Sequence, residues 1–206
     1  MSPIQAMERS YGRLRDLLRT GAFVPGARLE ANRLADELGV SMTPIRDALH
    51  QLVGERLVEA NSGEGFRVPR ISEGDLRALY EWNAAIAAMA VRTTPAMLLV
   101  AATTATPDAG DLAERTARLF EQIAAIVPNA ELSSAIRAAS DRLHPFRIIE
   151  GSLLEPIPDE LDRLVRAAPS QLSEIRRYHQ RRMRAAGELV RLRGDTSRPP
   201  FAPTPP

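Results

Sequence analysis

Apolar positions in the first 70 residues change period more than once, and each change marks an element. From Ile4 to Leu18 the chain carries Leu14, Leu17 and Leu18 at helical spacing, enough for a packing helix. Arg33 to Leu38 is a shorter amphipathic stretch with Leu34, Ala35 and Leu38 on one face. Gly39 follows where a helix end takes a left-handed residue that glycine adopts cheaply, and Val40 gives the turn an apolar plug. Thr43 and Pro44 open the next helix: threonine can cap free backbone N–H groups, and proline suits a first helical position, whose N–H is unpaired anyway. Ile45, Leu49, Leu52 and Val53 then bury that helix against its predecessor. Leu57–Ala60 and Gly65–Val68 read as two short strands joined by Asn61-Ser62-Gly63-Glu64, a hairpin.

Helix, turn, helix and hairpin in this order predict a winged helix-turn-helix over residues 1–70. The second helix turns Met42, Thr43, Arg46, His50 and Gln51 away from its apolar stripe, side chains able to reach base edges and phosphates. DNA binding is the chemistry this face offers; the plainer alternative is a small helical pair with no ligand.

The remainder of the chain carries helical spacing and no strand signal. Residues 71–75 read as a short linker, with Ser72 a good N-cap for a helix through Leu76, Leu79, Ile86 and Met89 to Arg92. Pro95 starts a second helix to about Ala105, and Asp108–Val127 is a third, buried through Leu112, Leu119, Ile123 and Ile126. Asn129 caps a fourth, which Pro145 should kink or break. Pro158–Ala168 is a fifth and Ser170 to about Arg193 a sixth; the Pro-rich tail, 196–206, is expected to be disordered. The expected fold is mostly α, a winged helix-turn-helix followed by an all-α bundle of about six helices over 76–195.

Composition narrows the function classes. The 206 residues, 44% hydrophobic, suffice for two cores, and the absence of Cys removes disulfides and thiolate metal sites. All 27 basic residues are Arg, and the net charge is only +1. A binder that relied on displaced counterions alone would be far more basic, so the arginines must be concentrated on one face, with dimerisation doubling their effect. Arg176, Arg177, Arg181, Arg182, Arg184, Arg191, Arg193 and Arg198 cluster late in the chain, as a second DNA contact or a solvated face paired with acidic neighbours. No run of about 20 apolar residues and no signal-peptide core occurs, which points to the cytoplasm. Three scattered His and no Cys offer no converging catalytic set, so an enzyme is not expected.

Residues 11–70 resemble the winged helix-turn-helix of GntR-type bacterial transcription regulators. The resemblance rests on Pro25-Gly26-Ala27-Arg28-Leu29-Glu30, on Leu34-Ala35-Asp36-Glu37-Leu38-Gly39-Val40-Ser41, on Thr43-Pro44-Ile45-Arg46-Asp47-Ala48-Leu49 and on Gly65-Phe66-Arg67-Val68. It implies DNA contacts from Arg28, Arg46 and the wing glycine, Gly65. Met42 departs from the family, which usually carries Arg there, so one phosphate or base contact is expected to be missing.

The helical half resembles, less closely, the FCD-type (FadR/VanR-like) effector domain of such regulators. The matching pieces are Ile71-Ser72-Glu73-Gly74-Asp75-Leu76-Arg77-Ala78-Leu79-Tyr80-Glu81, Arg115–Phe120, Asp141-Arg142-Leu143-His144, and Tyr178-His179 with Met183 and Ala186. That resemblance implies dimerisation and a pocket holding a small carboxylate on a divalent metal, with an Asp and three His as ligands. Asp141, His144 and His179 are what this chain retains, Ser140 standing four before His144 and Gln180 one beyond His179, so no metal or other cofactor is expected. Asn83 and Ala87 stand where the family has Arg and Glu, which points away from a dicarboxylate and toward a neutral or aromatic ligand, or none. Asn83, Arg137, Asp141, His144 and His179 are the expected pocket residues, while Arg137, Arg142 and Arg147 either form an anion site or face solvent.

These features together predict a homodimeric DNA-binding regulator, a repressor acting on a palindromic operator under control of a small-molecule effector. A helical interaction module that keeps the fold but has lost operator binding or ligand response is the alternative.

Overall fold

In a computed structural model the described residues are 3–61, 63, 65–95, 97–98, 110–155, 160–165 and 171–195. Contacts group them into two compact units, one up to Arg70 together with the residues from Arg193, the other Ile71–Leu192. The chain is mostly helical, with one small sheet.

The first unit begins with α1, Pro3–Arg19, followed by strand β1, Arg28–Leu29, then α2, Ala31–Leu38, and α3, Met42–Gly54. Strands β2, Glu59–Asn61, and β3, Gly65–Arg67, complete it. Leu14 and Leu18 of α1, Leu34 and Ala35 of α2, and Ile45, Ala48, Leu49 and Leu52 of α3 form its core, closed by Leu57 and Val58. Gly39 ends α2 at φ 65°, and its N–H returns to the carbonyls of Ala35 and Asp36. The cap of α3 is Ser41 rather than Thr43: Met42, Thr43 and Pro44 fill the first turn, where amide hydrogens have no intrahelical partner and proline is tolerated.

The hairpin forms, one or two residues later than its apolar pattern suggests, because Leu57 and Val58 are spent in the core before the strand begins. The sheet has the order β1-β3-β2, all antiparallel. Pairing of Arg28 with Arg67 and Leu29 with Phe66 ties the segment before α2 to the wing. A two-residue strand whose partner lies about forty positions away leaves no local signal.

The second unit contains α4, Glu73–Thr93; α5, Leu112–Ile126; α6, Ala130–Glu150; α7, Glu160–Val165; α8, Gln171–Arg184; and α9, Ala186–Asp195. Ser72 and Asp75 form a reciprocal capping box at α4, so the stretch 71–75 holds the cap and first turn rather than a free linker. Asp111 caps α5 and Asn129 caps α6 through their side chains. Helix α6 runs on through Pro145 instead of breaking. The lost hydrogen bond, a cost of about 3 kcal/mol, is outweighed by burial on several sides, with Ile136, Leu143 and Phe146 in the core. The last long segment is divided at Ala185, whose N–H turns back to the Arg182 carbonyl. Met89, expected inside, is 54% exposed. The helix expected over 95–105, the ends of the one at 158–168 and the tail at 196–206 lie outside the described residues in whole or large part.

Candidate functional site

In the first unit, a groove of about 700 Å³ lies between the start of α2, the outer face of α3 and the wing strand β3. Arg28, Met42, Arg46, His50 and Gly65 line it, five of the residues singled out from sequence, with Asn32 and Phe66 in addition. Thr43 and Gln51 are exposed on the same helix, and Gln51 donates to Glu55 at 3.4 Å. His50 packs edge-on against Phe66 with ring centres 5.0 Å apart, so α3 and β3 brace one another. Phe66 and Asn32 escaped the sequence reading because the β1–β3 pairing that brings them there is non-local.

Some arginines of this unit are paired and others are not. Arg33 pairs with Glu37 at 2.9 Å and Arg19 with Asp16 at 3.6 Å. Arg28 and Arg46 are exposed, and their guanidinium groups make no hydrogen bond or ion pair among the described residues. Neither Glu30 at α2 nor Ser41 at α3 uses its side chain to cap the helix it precedes, whereas α4, α5 and α6 are all capped in that way. Two unpaired guanidinium groups and two open helix starts thus share one groove, an arrangement suited to phosphate oxygens.

In the second unit the sequence-expected pocket residues separate. Arg137 lies near the surface, donating to Glu121 at 2.7 Å and Ser133 at 2.9 Å. Asp141 and His144 are buried on α6, with His144 Nε2 3.3 Å from a Glu114 carboxylate oxygen. Asn83 and His179 do meet. His179 Nδ1 is 2.7 Å from the Ile175 carbonyl, which can only accept, so Nδ1 carries the proton. Burial above all, with the charges of Arg182 and Arg147, pulls the His179 pKa down to about 3, so the ring is neutral and Nε2 is an acceptor. The Asn83 amide end, 2.9 Å from Nε2, satisfies it by presenting its NH₂, since rotation exchanges amide O and N.

A divalent metal, which the FCD resemblance implies, does not fit these residues. Both nitrogens of His179 are engaged, His144 faces Glu114, and among the described residues no three His, Asp or Glu side chains are grouped to hold an ion.

The late arginines have several fates. Arg177 and Arg191 pair with Glu174 and Glu188 at the surface. Arg182 is instead buried, donating to Glu150 at 2.9 Å and to Glu160 at 3.1 and 3.2 Å while stacked on Tyr178. Tyr80 donates to the other Glu150 oxygen at 2.8 Å. Arg147 is buried too, its guanidinium 4.8 Å from the Phe120 ring centre.

The short α2, its glycine turn, the groove-lining α3 and the β2–β3 wing define a winged helix-turn-helix, a class of DNA-reading domain. Residues 6–68 match the model of the gntR family of bacterial regulatory proteins. The chain is 38% identical to the HTH-type transcriptional regulator McbR of Escherichia coli K12 over 82 residues, 38% of this chain and 37% of that protein. It is 37% identical to the HTH-type transcriptional repressor GlaR of the same organism over 76 residues, 37% of this chain and 34% of that protein. The match therefore spans little more than a third of either relative. The solved structure of E. coli McbR/YncC shares the fold more widely, with a TM-score of 0.53 at 22% identity over 93% of this chain and 95% of that one. The matched relatives are named as transcription regulators. No helix among the described residues is long and apolar enough to cross a membrane.

Proposed function

We propose that the protein is a sequence-specific DNA-binding transcription regulator whose α3 enters the major groove while the wing and the start of α2 hold the backbone. The observation that carries this reading is the free pair Arg28 and Arg46 lining one groove with two uncapped helix starts. Arg46, on the exposed face of α3, reads a base edge or the phosphate beside it; Arg28 and the Gly65 turn contact the backbone. The helical unit serves as an FCD-type domain that pairs two copies, placing the two winged helices on the half-sites of a palindrome in the cytoplasm. A small molecule bound in the bundle shifts the relative orientation of the two readers by favouring one bundle arrangement. Repression is the sign of regulation, since covering a promoter needs no further surface, and a relative, GlaR, is named a repressor.

Selection of bound sequences from a random double-stranded DNA pool, at physiological salt, tests the reading. A recovered palindrome is the expected result, and Arg46→Ala weakens binding to it by about 5- to 150-fold, equivalent to roughly 1–3 kcal/mol. Equal affinity of the variant refutes the role of Arg46. Recovery of no sequence leaves the fold as an interaction module.

A further inference from the structure

Among the described residues of the first unit, Ile4 and Met42 are the large apolar side chains left exposed. Met42, 47% exposed, lies in the groove between α2, α3 and the wing. It is not a packing residue: α3 buries Pro44, Ile45, Ala48, Leu49 and Leu52 on its inner face, while Met42, Arg46 and His50 follow one another at four-residue spacing on the outer one. The surroundings of Met42 are cationic. Two guanidinium groups, Arg28 and Arg46, line the groove against one carboxylate, Glu30, and the uncapped starts of α2 and α3 add partial positive charge. Such a groove calls for an anionic occupant. An apolar side chain in its wall gains from that occupant only if the occupant presents an apolar group at the same place.

We propose that Met42 is a specificity-determining residue that reads the 5-methyl group of a thymine in the major groove, an inference that rests on the DNA-binding function proposed above. The DNA major groove meets both demands at once, since it is polyanionic and carries one methyl group at each A·T pair. RNA meets only the first, because uracil lacks the methyl and the A-form major groove is too narrow for side chains to read. Guanine is a poor match for the same side chain. It offers the acceptors O6 and N7, the thioether has no N–H or O–H to donate, and covering those acceptors would leave them without partners. The unbranched methionine has three rotatable bonds, so it can follow the methyl group without movement of the backbone. Four residues of helix advance by about 6 Å and successive bases by about 3.4 Å, so the thymine falls within about two base pairs of the base or phosphate that Arg46 contacts. The contact expected to be missing for want of an arginine at position 42 is thereby replaced by an apolar one.

Titration of the full chain against its selected operator decides the matter, each thymine being replaced in turn by uracil, which removes the methyl group and nothing else. At one thymine in a half-site the replacement should weaken binding about fourfold, equivalent to roughly 0.8 kcal/mol for one buried methyl group. At the same pair 5-methylcytosine should bind more tightly than cytosine by about the same factor. Met42→Ala should bind the thymine and uracil operators equally, because the methyl group then has no apolar partner. Met42→Leu, apolar and of similar volume, should keep the preference and shows that the alanine result is not a folding defect. An effect below about twofold at every thymine overturns the proposal, as does a methyl preference that persists in Met42→Ala or disappears in Met42→Leu. Each of these results leaves operator binding, and with it the regulator, standing. Recovery of no operator from the random pool overturns both readings together, so the two failures are distinct.

Discussion

The buried cluster of Arg182, Glu150, Glu160 and Tyr80 allows a stability measurement with a sharp expected pattern. Arg182 and Glu150 are 1% and 3% exposed at the side chain, so neither charge is relieved by solvent when the other is removed. Arg182→Met preserves most of the volume and the packing on Tyr178, but strands the Glu150 carboxylate with the Tyr80 hydroxyl as its remaining donor among the described residues. Glu160, 12% exposed, can turn toward water, so the loss concentrates on Glu150. Breaking a buried pair from one side costs about 3–5 kcal/mol, which for a chain of this length is a fall in Tm of roughly 6–20 °C. Adding Glu150→Gln removes the stranded charge and keeps an acceptor for Tyr80, so the double variant should lose only about 1–2 kcal/mol. The two changes therefore couple by about 2 kcal/mol or more. Trp82, the single tryptophan, lies on α4, so its fluorescence during urea unfolding reports the helical unit specifically. A cost below about 1 kcal/mol for Arg182→Met, or additive costs in the double variant, would refute the view that the cluster is a paired buried charge.

Three further outcomes follow from single positions. Gly39→Ala forces a left-handed φ of 65° on a residue with a Cβ that meets nothing within 4 Å, so a purely conformational loss of about 1–2 kcal/mol is expected from amide hydrogen exchange in α2 and α3. Arg56 already sits at φ 59°, and Arg56→Gly should gain about 0.5–1 kcal/mol by the same measurement; a loss would show that the arginine side chain compensates for its backbone. His179, held near pKa 3 in the fold against 6.5 unfolded, binds its proton more readily when unfolded. Its stability contribution is therefore present above pH 6.5 and lost as pH falls toward 3, by about 2 kcal/mol at pH 5. Urea midpoints from Trp82 at pH 5 and pH 7.5 should differ less in His179→Gln than in the parent, and equal differences would rule out His179 as the source.

Much of the reader domain was legible in the chain because its signals are local. A glycine after Leu38, a β-hairpin pattern after Leu57, and the caps Ser72 and Asn129 each act on residues within three or four positions, so sequence spacing alone fixes them. Met42, Arg46 and His50 line one groove for the same reason, since a helix face is set by its period. The β1–β3 pairing was not legible: two residues have no period, and only the fold brings Arg28 and Leu29 to the wing.

The helical unit shows the limit more clearly. Arg137, Arg142 and Arg147 share one helix and one residue type, and nothing in the sequence ranks them. The packing does: Arg137 reaches Glu121 near the surface, while Arg147 is enclosed beneath Phe120. Helix α6 is buried on so many sides that amphipathic spacing no longer predicts which polar side chains go inside, and the same enclosure carries it through Pro145. The sequence by itself determined most of the helices, the caps at Ser72 and Asn129 and the outer face of α3, because those depend on neighbours along the chain. Tertiary structure alone decided which charges are paired in the core, because that depends on which helices meet.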